Sequence, residues 1–280
     1  MVKFFTKTAI GYTHVQTGKI CQDFSACYHD DERTIITACD GHGGEIYIRS
    51  DKGSKFASEA IINAFKRVEK SVFYRANRKE IEKKLRLEIL CEWNALVERN
   101  LAEKPLTKRE TAGLNEDKIF RLKTDPQVAY GTTLNGAMIF GNKMICASLG
   151  DGGCFVFKRG EVYPVFYDDS DENVANLTYS MCQTDAFNHL AVKIIDLPTV
   201  DGAIVFTDGL INPYRSLDNF ATALVKPVVS KLLAGKSEEI DGFITEMGAK
   251  IGIGDDVSVG MFAKSRNKAE ILQRKMKWSF

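Results

Sequence analysis

The order of hydrophobic and polar residues predicts short β-strands in both halves of the chain with helices between them. Strand-like runs occur near residues 3–13, at Phe24–His29 and at Arg33–Cys39, and the turn residues Asp40 and Gly41 end the third run. Later strand-like runs are 131–140, Lys143–Leu149, 154–158, 191–197, 203–207 and 257–263. The first three of these later runs are separated by glycine-rich turns, which is typical of an antiparallel meander.

A period of three to four residues predicts helices in the intervening segments. Ser54 is a candidate N-cap for a first helix, and a longer helix is expected over Arg78–Glu103. Further helical material is expected from about 217 to 250, whereas 104–128 and 164–190 are polar and aperiodic, and 104–128 is interpreted as a long loop. Strands grouped around helices, rather than alternating with them, indicate an α+β fold.

Composition and charge exclude several broad classes of protein. Of the 280 residues, 44% are hydrophobic and 27% are charged, as in folded globular domains. Lysine and arginine (38) nearly cancel aspartate and glutamate (37), so no overall field attracts nucleic acid or an anionic membrane. No run approaches the roughly 18 apolar residues of a membrane span, and no signal-peptide core is present. We therefore expect a single cytoplasmic domain with no nucleic-acid or membrane partner.

Four aspartates share a local setting that suits metal binding. Each has a glycine neighbour, and three of the four lie at the edge of an apolar strand: Asp40, Asp151, Asp208 and Asp255. Aspartate provides the hard oxygen ligands that Mg²⁺ and Mn²⁺ prefer, and glycine lets the backbone approach an ion. A single Asp-Gly pair is more often a simple turn. Two apolar strands that both end in Asp-Gly, however, would bring their carboxylates to one rim of a sheet.

His42 follows the first of these aspartates by two residues and is flanked by Gly41 and Gly43. The glycines offer little packing to hold the imidazole in a core. It is therefore either a surface histidine in a turn or, beside a metal centre, a proton donor to a leaving group.

Six short segments extend this pattern over most of the chain. They are 18–23 (Gly-Lys-Ile-Cys-Gln-Asp), 37–44 (Thr-Ala-Cys-Asp-Gly-His-Gly-Gly), 131–134 (Gly-Thr-Thr-Leu), 148–151 (Ser-Leu-Gly-Asp), 206–210 (Phe-Thr-Asp-Gly-Leu) and 254–259 (Gly-Asp-Asp-Val-Ser-Val). Because these segments occur in the same order and at similar spacing, the chain resembles the metal-dependent protein phosphatases, also called the protein phosphatase 2C-like family. The resemblance is closest to the compact bacterial members. One segment alone is suggestive, whereas six in order are specific.

The resemblance implies both a fold and a metal centre. The implied fold is a four-layer α-β-β-α sandwich, with two antiparallel β-sheets flanked by helical pairs. The implied cofactors are two Mn²⁺ or Mg²⁺ ions about 4 Å apart. The resemblance assigns the metal ligands to Asp40 and the Gly41 carbonyl, to Asp208 and Asp255, to Asp23 through metal-bound water, and to Asp151 at a weaker third site. It also implies that His42 protonates the leaving oxygen.

The implied activity is hydrolysis of phosphoserine and phosphothreonine in a protein substrate by a metal-activated water. A cognate kinase is a further implied partner, and a monomer is expected. The phosphatase domain is assigned to 1–264, with a flap-like segment at about 164–190 beside the active site. Residues 265–280 are interpreted as a basic C-terminal extension.

The chain departs from the family pattern at three positions, and two of them, Gly18 and Gln22, keep a second interpretation open. Gly18 stands where the family often has a phosphate-binding arginine, which leaves Lys19 as the candidate phosphate contact. Gln22 replaces a common acidic residue, and Asp256 stands where many members have asparagine. The alternative is a catalytically weak or inactive phosphatase-like module that binds phosphorylated partners.

Two other classes of phosphate-binding protein are excluded, each because one required residue is absent. A haloacid-dehalogenase phosphatase would need a nucleophilic aspartate two residues before Asp208, where this chain has Phe206. The segment Gly235-Lys236-Ser237 resembles the end of a P-loop, but the glycine required five residues earlier is Ser230.

Overall fold

The strands form two antiparallel five-stranded sheets in the computed structural model, which describes residues 2–158, 161–166, 178–196 and 200–264. The strands are β1 (Val2–Ala9), β2 (Phe24–His29), β3 (Arg33–Cys39), β4 (Leu134–Phe140), β5 (Lys143–Leu149), β6 (Gly153–Lys158), β7 (Glu161–Phe166), β8 (Ala191–Asp196), β9 (Val200–Phe206) and β10 (Val257–Lys264). Sheet A has the order β1-β10-β9-β6-β7, and sheet B has the order β2-β3-β4-β5-β8.

Helices pack on the outer faces of both sheets. In chain order they are α1 (Tyr12–Thr17), α2 (Ser50–Lys66), α3 (Val72–Arg75), α4 (Arg78–Glu103), α5 (Glu116–Thr124), α6 (Ala186–His189), α7 (Asp208–Ile211), α8 (Leu217–Phe220), α9 (Lys226–Ala234) and α10 (Ser237–Glu246). The pair α2 and α4 covers sheet B, and the pair α9 and α10 covers sheet A. The expected α+β class and four-layer sandwich are therefore confirmed.

Three hydrophobic layers hold the sandwich together. Aliphatic and small side chains such as Ile36, Ala137 and Val205 fill the space between the sheets, where side chains alternate with those on the outer faces. Larger side chains fill the two layers between the helices and the sheets, with Trp93 of α4 in the layer over sheet B and Phe220 of α8 in the layer over sheet A. Burial of these apolar faces is the main favourable contribution to folding.

Helix α4 has the predicted bounds because its N-terminus carries a complete capping box. The Asn77 side chain accepts a hydrogen bond from the Glu80 amide at 3.0 Å, and the Glu80 carboxylate accepts one from the Asn77 amide at 3.2 Å. Buried residues at helical spacing, among them Ile81, Leu85 and Ile89, then face the core.

Helix α2 begins at Ser50, four residues before the predicted cap at Ser54. The buried Ser54 hydroxyl donates instead to the Gln22 carbonyl at 2.6 Å and to the Asp51 carbonyl at 3.2 Å. The predicted cap is therefore wrong, because this serine serves a tertiary contact that ties the helix to the segment before β2.

The segment 104–128, predicted to be a long loop, contains helix α5 and most of a 3₁₀ turn over Pro126–Tyr130. The Asn115 side chain caps α5 by accepting a hydrogen bond from the Lys118 amide at 2.9 Å. Leu122 is the one residue of this helix that is buried. The helix has a polar cap signal but almost no apolar stripe, which is why the hydrophobic period missed it.

The predicted meander is correct only for β4 and β5, which form a hairpin. Strand β6 pairs with β7 and β9 in sheet A, so the chain crosses from one sheet to the other at residues 150–153. Gly150 has φ of 101°, which favours glycine, and a Cβ at Gly152 would lie 2.5 Å from the Phe206 carbonyl oxygen. This crossing carries Asp151 to the end of the sandwich, between the two sheets.

The helical region expected at 217–250 is divided into separate helices. Gly235, with φ of 79°, ends α9 before α10 begins. Within the flap-like segment 164–190 the structure describes the end of β7 and the helix α6, while 167–177 and the extension 265–280 lie outside the described residues. Along the described stretches, no helix combines the length and apolar character needed to cross a membrane.

Candidate metal centre and active site

The sequence-predicted acidic residues converge at one end of the sandwich. Asp23 precedes β2 and Asp40 follows β3, and the register pairs Phe24 with Cys39, so the two carboxylates begin from adjacent positions. In sheet A, Asp208 follows β9 and Asp255 precedes the neighbouring antiparallel strand β10. The sheet crossing adds Asp151 from between them.

Three of these carboxylates form a compact cluster. Oxygen atoms of Asp40, Asp151 and Asp208 all lie within 4.8 Å of one another. Two of them, Asp40 and Asp151, line a pocket of about 280 Å³ that also includes Gly41, His42 and Asp255. Oxygen donors at this separation match what a hard divalent cation requires.

The electrostatics of the cluster also favour a bound cation. Burial raises the pKa of Asp40 well above its usual range, and the neighbouring Asp23 and Asp208 raise it further. Burial, followed by the charge of Asp151, raises the pKa of Asp208 to about 7. Among the described side chains, neither Asp40 nor Asp208 forms an ion pair with a lysine or arginine. Divalent cations would supply the positive charge that these residues lack, so the donor set fits the implied metals.

The backbone of Asp40 is fixed by the Gly-Thr-Thr segment before β4. Its carbonyl accepts hydrogen bonds from the Thr132 hydroxyl at 2.7 Å and from the Thr133 amide at 2.8 Å. Its amide donates to the Thr133 hydroxyl at 3.0 Å. This explains the presence of two threonines at 132 and 133: both hydroxyls hold the loop that carries the central carboxylate.

Gly41 occupies a position that has no room for a side chain. A Cβ there would lie 2.4 Å from the Gln22 carbonyl oxygen and 2.6 Å from that of Ser50. Close packing on both sides keeps the Gly41 backbone at the pocket wall.

Asp23 is buried behind the pocket and is not a member of the three-carboxylate cluster. It accepts a hydrogen bond from the Thr207 hydroxyl at 2.8 Å, and that hydroxyl in turn accepts one from the Ser258 amide at 2.9 Å. Burial raises the pKa of Asp23 well above its ordinary value, although the bond from Thr207 opposes that shift. Its position is compatible with the predicted indirect role at the metal centre.

His42 lies in the pocket wall as predicted. Its ring packs edge-on against Tyr47, with centroids 4.9 Å apart, and its amide donates to the Gly131 carbonyl at 3.1 Å. Burial lowers the pKa of the imidazole. The His42 side chain is half-buried and lines the pocket beside Asp40 and Asp151, which favours the active-site interpretation over a surface turn.

Lys19 lies at the exposed edge of the pocket, where its Nζ is 3.5 Å from the carbonyl oxygen of Gly43. The preceding Gly18 has φ of 70° and closes α1, with the Lys19 amide donating to the His14 carbonyl at 2.9 Å. A left-handed backbone favours glycine over arginine, so the helix end accounts for the departure at Gly18.

Gln22 and Asp256 depart from the family pattern together, and they contact each other. The Asp256 carboxylate accepts hydrogen bonds from the Gln22 amide at 2.6 Å and from the Gly11 amide at 2.8 Å. The Gln22 side chain donates to Ser50 Oγ at 2.5 Å and to the His42 carbonyl at 3.3 Å. An acidic side chain at position 22 could not make these donations, so the pair braces the His42 loop.

His14 is a pocket residue that the sequence interpretation missed. It is 9% exposed, and its Nδ1 lies 3.0 Å from the Asp256 carboxylate. Helix α1 carries it into the pocket wall, but this helix was not predicted, and its first two residues were assigned to a strand ending near residue 13. A turn signal was available in Gly11, whose Cβ would lie 2.3 Å from the Gly254 carbonyl oxygen.

Two further contacts orient the cluster. The Thr178 hydroxyl donates to Asp151 at 2.5 Å, and the Asn212 side chain donates to Asp208 at 2.9 Å. Each of these bonds uses one oxygen of its carboxylate.

Comparison with known proteins identifies the family. The sequence pattern of the family described as Protein phosphatase 2C matches residues 10–243. Among functionally curated protein sequences, none matches the chain.

Solved phosphatase structures share the fold at low sequence identity. A bacterial serine phosphatase is 16% identical, with a TM-score of 0.59 over 96% of this chain and 99% of the other. The serine/threonine phosphatase Stp1 from Staphylococcus aureus is 15% identical, with a TM-score of 0.58 over 94% and 95%. The catalytic domain of the serine/threonine protein phosphatase PstP, in complex with two manganese ions, is 14% identical, with a TM-score of 0.54 over 94% and 97%. Together with the family match over most of its length, the shared sandwich places the chain in its family: it belongs to the protein phosphatase 2C family.

Proposed function

We propose that this protein is a metal-dependent serine/threonine protein phosphatase that hydrolyses phosphomonoesters. The observation that carries the proposal is the cluster of Asp40, Asp151 and Asp208 oxygens within 4.8 Å of one another. Two of its members, Asp40 and Asp151, line a pocket that also presents His42. Family membership supports the hydrolase class, and the structural neighbours that are serine/threonine phosphatases support the substrate class.

The metal centre would use the predicted ligands. Asp40 and the Gly41 carbonyl would hold two Mn²⁺ or Mg²⁺ ions together with Asp208 and Asp255, and Asp151 lies close enough to share in their coordination. Asp23 would act from behind the cluster. When bound, such ions neutralise phosphate charge and lower the pKa of the attacking water. The manganese-bound PstP catalytic domain is consistent with this choice of metal.

The remaining roles fall to residues around the cluster. His42 would donate a proton to the leaving oxygen of serine or threonine, because an alkoxide is a poor leaving group. Gln22 holds the His42 loop through its bond to the His42 carbonyl. Lys19, at the exposed edge, would attract the substrate phosphate as a point charge. No covalent phosphoenzyme is required.

The phosphatase domain is proposed to comprise residues 1–264, with substrate choice influenced by the flap-like segment 164–190. The extension 265–280 is proposed to lie outside the catalytic unit. A phosphorylated protein is the proposed substrate, and the kinase that phosphorylates it is the proposed partner. The two enzymes would form a signalling pair in the cytoplasm. This chain is proposed to act as a monomer.

A phosphatase assay with and without Mn²⁺ tests the proposal. We expect metal-stimulated hydrolysis of an aryl phosphate and of a phosphoserine peptide, and loss of that stimulation in Asp208→Asn. Circular dichroism of the variant checks that it remains folded, and Asp218→Asn, at an exposed position of α8, is the matched control. Absence of metal-stimulated turnover in the wild type would refute the proposed enzymatic activity.

The alternative function is a phosphatase-like module that binds phosphorylated partners without hydrolysis. The specific observation in its favour is Gly18, because the helix end leaves no arginine fork for the phosphate. The same preparations distinguish the two functions. A binding module would retain a labelled phosphoserine peptide in Mn²⁺ and release no inorganic phosphate from it.

A further inference from the structure

Four exposed hydrophobic side chains lie beside the candidate active site. We call this set the apolar rim, and its members are Tyr12 (38% exposed), Val15 (61%), Ile20 (62%) and Ile253 (52%). They are four of the eight large hydrophobic residues that are exposed among those the structure describes. Of the other four, Leu87 lies on α4 and Phe120 lies on α5. Isolated exposed hydrophobics need no explanation, but a group beside a functional pocket indicates a binding surface.

Helix α1 turns one side toward the pocket and another toward solvent. His14 is buried and lines the pocket, whereas the next residue, Val15, is mostly exposed. After Gly18 reverses the chain, Ile20 is exposed two residues before Gln22, which also lines the pocket. The exposed hydrophobics therefore alternate along the chain with residues of the pocket wall.

The turn before β10 brings Ile253 to the same place. The Thr13 amide donates to the Gly254 carbonyl at 3.1 Å, and a Cβ on Gly254 would lie 2.9 Å from the Tyr12 ring. This close contact joins the two segments of the apolar rim. Asp255 follows directly and lines the pocket.

We propose that the apolar rim binds hydrophobic residues that flank the phosphorylated serine or threonine of the protein substrate. The inference rests on the proposed function and specifies its substrate class: phosphorylated segments with aliphatic or aromatic neighbours. The occupant follows from continuity, because a peptide whose phosphate enters the pocket must leave over one of its walls. The wall built by α1 and the 252–255 turn offers apolar side chains, and Lys19 is the only lysine, arginine, aspartate or glutamate in the segment from Tyr12 to Ile20.

The test compares three substrates on full-length protein in Mn²⁺. They are an aryl phosphate and two phosphoserine peptides of equal charge, one flanked by leucine and isoleucine and the other by serine and glutamine. The test variant is Val15→Ser combined with Ile20→Ser, and the matched control is Leu87→Ser, which removes an exposed side chain on α4.

We expect kcat/KM for the apolar peptide to fall roughly tenfold in the double variant, mainly through KM, because two partly buried aliphatic contacts are lost. Turnover of the aryl phosphate and of the polar peptide should not change, and Leu87→Ser should match the wild type on all three substrates. Equal loss on every substrate, or no loss on the apolar peptide, would overturn the proposal.

Two further measurements test the apolar rim independently of turnover. If the wild type hydrolyses no substrate, the proposed function fails, yet fluorescence anisotropy of the labelled peptides still tests the surface. The wild type should then bind the apolar peptide more tightly than the double variant does, and equal binding would overturn the proposal. Sedimentation velocity tests a second copy of this chain as occupant: a wild-type dimer that becomes monomeric in the double variant would also overturn it.

Discussion

His42 is the residue whose proposed role depends most on the chemistry of the substrate. A proton donor matters for an alkoxide leaving group and much less for a phenolate. We therefore predict that His42→Asn lowers kcat/KM on a phosphoserine peptide by about 100-fold and lowers it far less on an aryl phosphate with an acidic phenol. Steady-state rates on the two substrates provide the measurement.

Tyr47→Phe is the matched control for that variant, because it keeps the ring that packs against His42 and removes only the hydroxyl. It should retain activity on both substrates. A uniform loss in His42→Asn across leaving groups would assign the imidazole to binding rather than to proton transfer.

Single residues were predictable from the sequence where a backbone constraint and a chemical role coincide. Asp40 with its glycine neighbours is such a case, since strand, turn and carboxylate all appear in one segment. His14 had no comparable signal, because its role depends on Asp256, which is 242 positions away along the chain and lies 3.0 Å from it. Contacts of this kind arise from tertiary packing, which local sequence patterns do not record.

Gly18 gives a prediction at the level of a structural element, the end of α1. A Cβ at this position would meet no atom within 4 Å, so only the left-handed backbone opposes a side chain. Gly18→Ala should lower the free energy of unfolding by about 1 kcal/mol. Gly113→Ala is the matched control, because it also meets no atom and lacks a positive φ. Urea denaturation of both variants checks the expectation, and equal effects would contradict it.

The segment after α4 is attached to α2 by a buried arginine. Arg49 is 3% exposed, and its guanidinium donates to Glu110 at 2.7 Å and to the hydroxyl of Tyr130 at 2.7 Å. Hydrogen bonding to Arg49 lowers the pKa of Glu110 to about 2. A carboxylate whose pKa is lower in the folded than in the unfolded state stabilises the fold above its unfolded pKa, and that contribution is lost as pH falls.

We predict that the wild type is more stable than Glu110→Gln at pH 7, by roughly 1 to 2 kcal/mol after allowance for solvent screening. The difference should shrink from about pH 5 downward, toward the folded-state pKa. Urea unfolding at several pH values measures it, with Glu116→Gln on exposed α5 as the control. A difference that is constant with pH would contradict the assignment.

Elements were predictable where a strong apolar period coincides with a cap or a turn, as in α4 and β3. The pattern failed for α5, whose helix is supported by a cap and by packing of Leu122 rather than by an apolar stripe. It also failed for the partner of β6, because strand periodicity predicts a strand but not the sheet to which it belongs. The six-segment resemblance implied the two-sheet architecture but not the order of the strands within the sheets.

For the whole molecule, metal binding should contribute measurably to stability. Carboxylates that raise one another's pKa destabilise the metal-free fold, and a cation that binds only the folded state removes this cost. At Mn²⁺ about 100-fold above its dissociation constant, the gain of about 2.7 kcal/mol would raise Tm by roughly 5 to 10 °C. A chelator should reverse the shift.

The variant Asp40→Asn distinguishes relief of electrostatic repulsion between the carboxylates from a general loss of stability. It should raise Tm in chelator, because one charge leaves the cluster, and it should abolish the Mn²⁺-dependent gain. Asp218→Asn should behave as the wild type in both conditions. Thermal unfolding, monitored by circular dichroism, measures Tm for all three proteins. A lower Tm of Asp40→Asn than of the wild type in chelator would contradict the prediction, because it would show that the carboxylate stabilises the metal-free fold.

The position of β10 has a consequence for synthesis of the protein. This strand lies between β1 and β9, so among the described strands β1 has no partner in its own sheet until β10 has been made. A nascent chain must therefore keep its first strand unpaired while more than 240 further residues are translated. Asp255, just before β10, completes the candidate centre at the same late moment. The proposed activity would thus begin only when β1 and β10 meet, because a chain that ends before β10 lacks both Asp255 and the partner of β1.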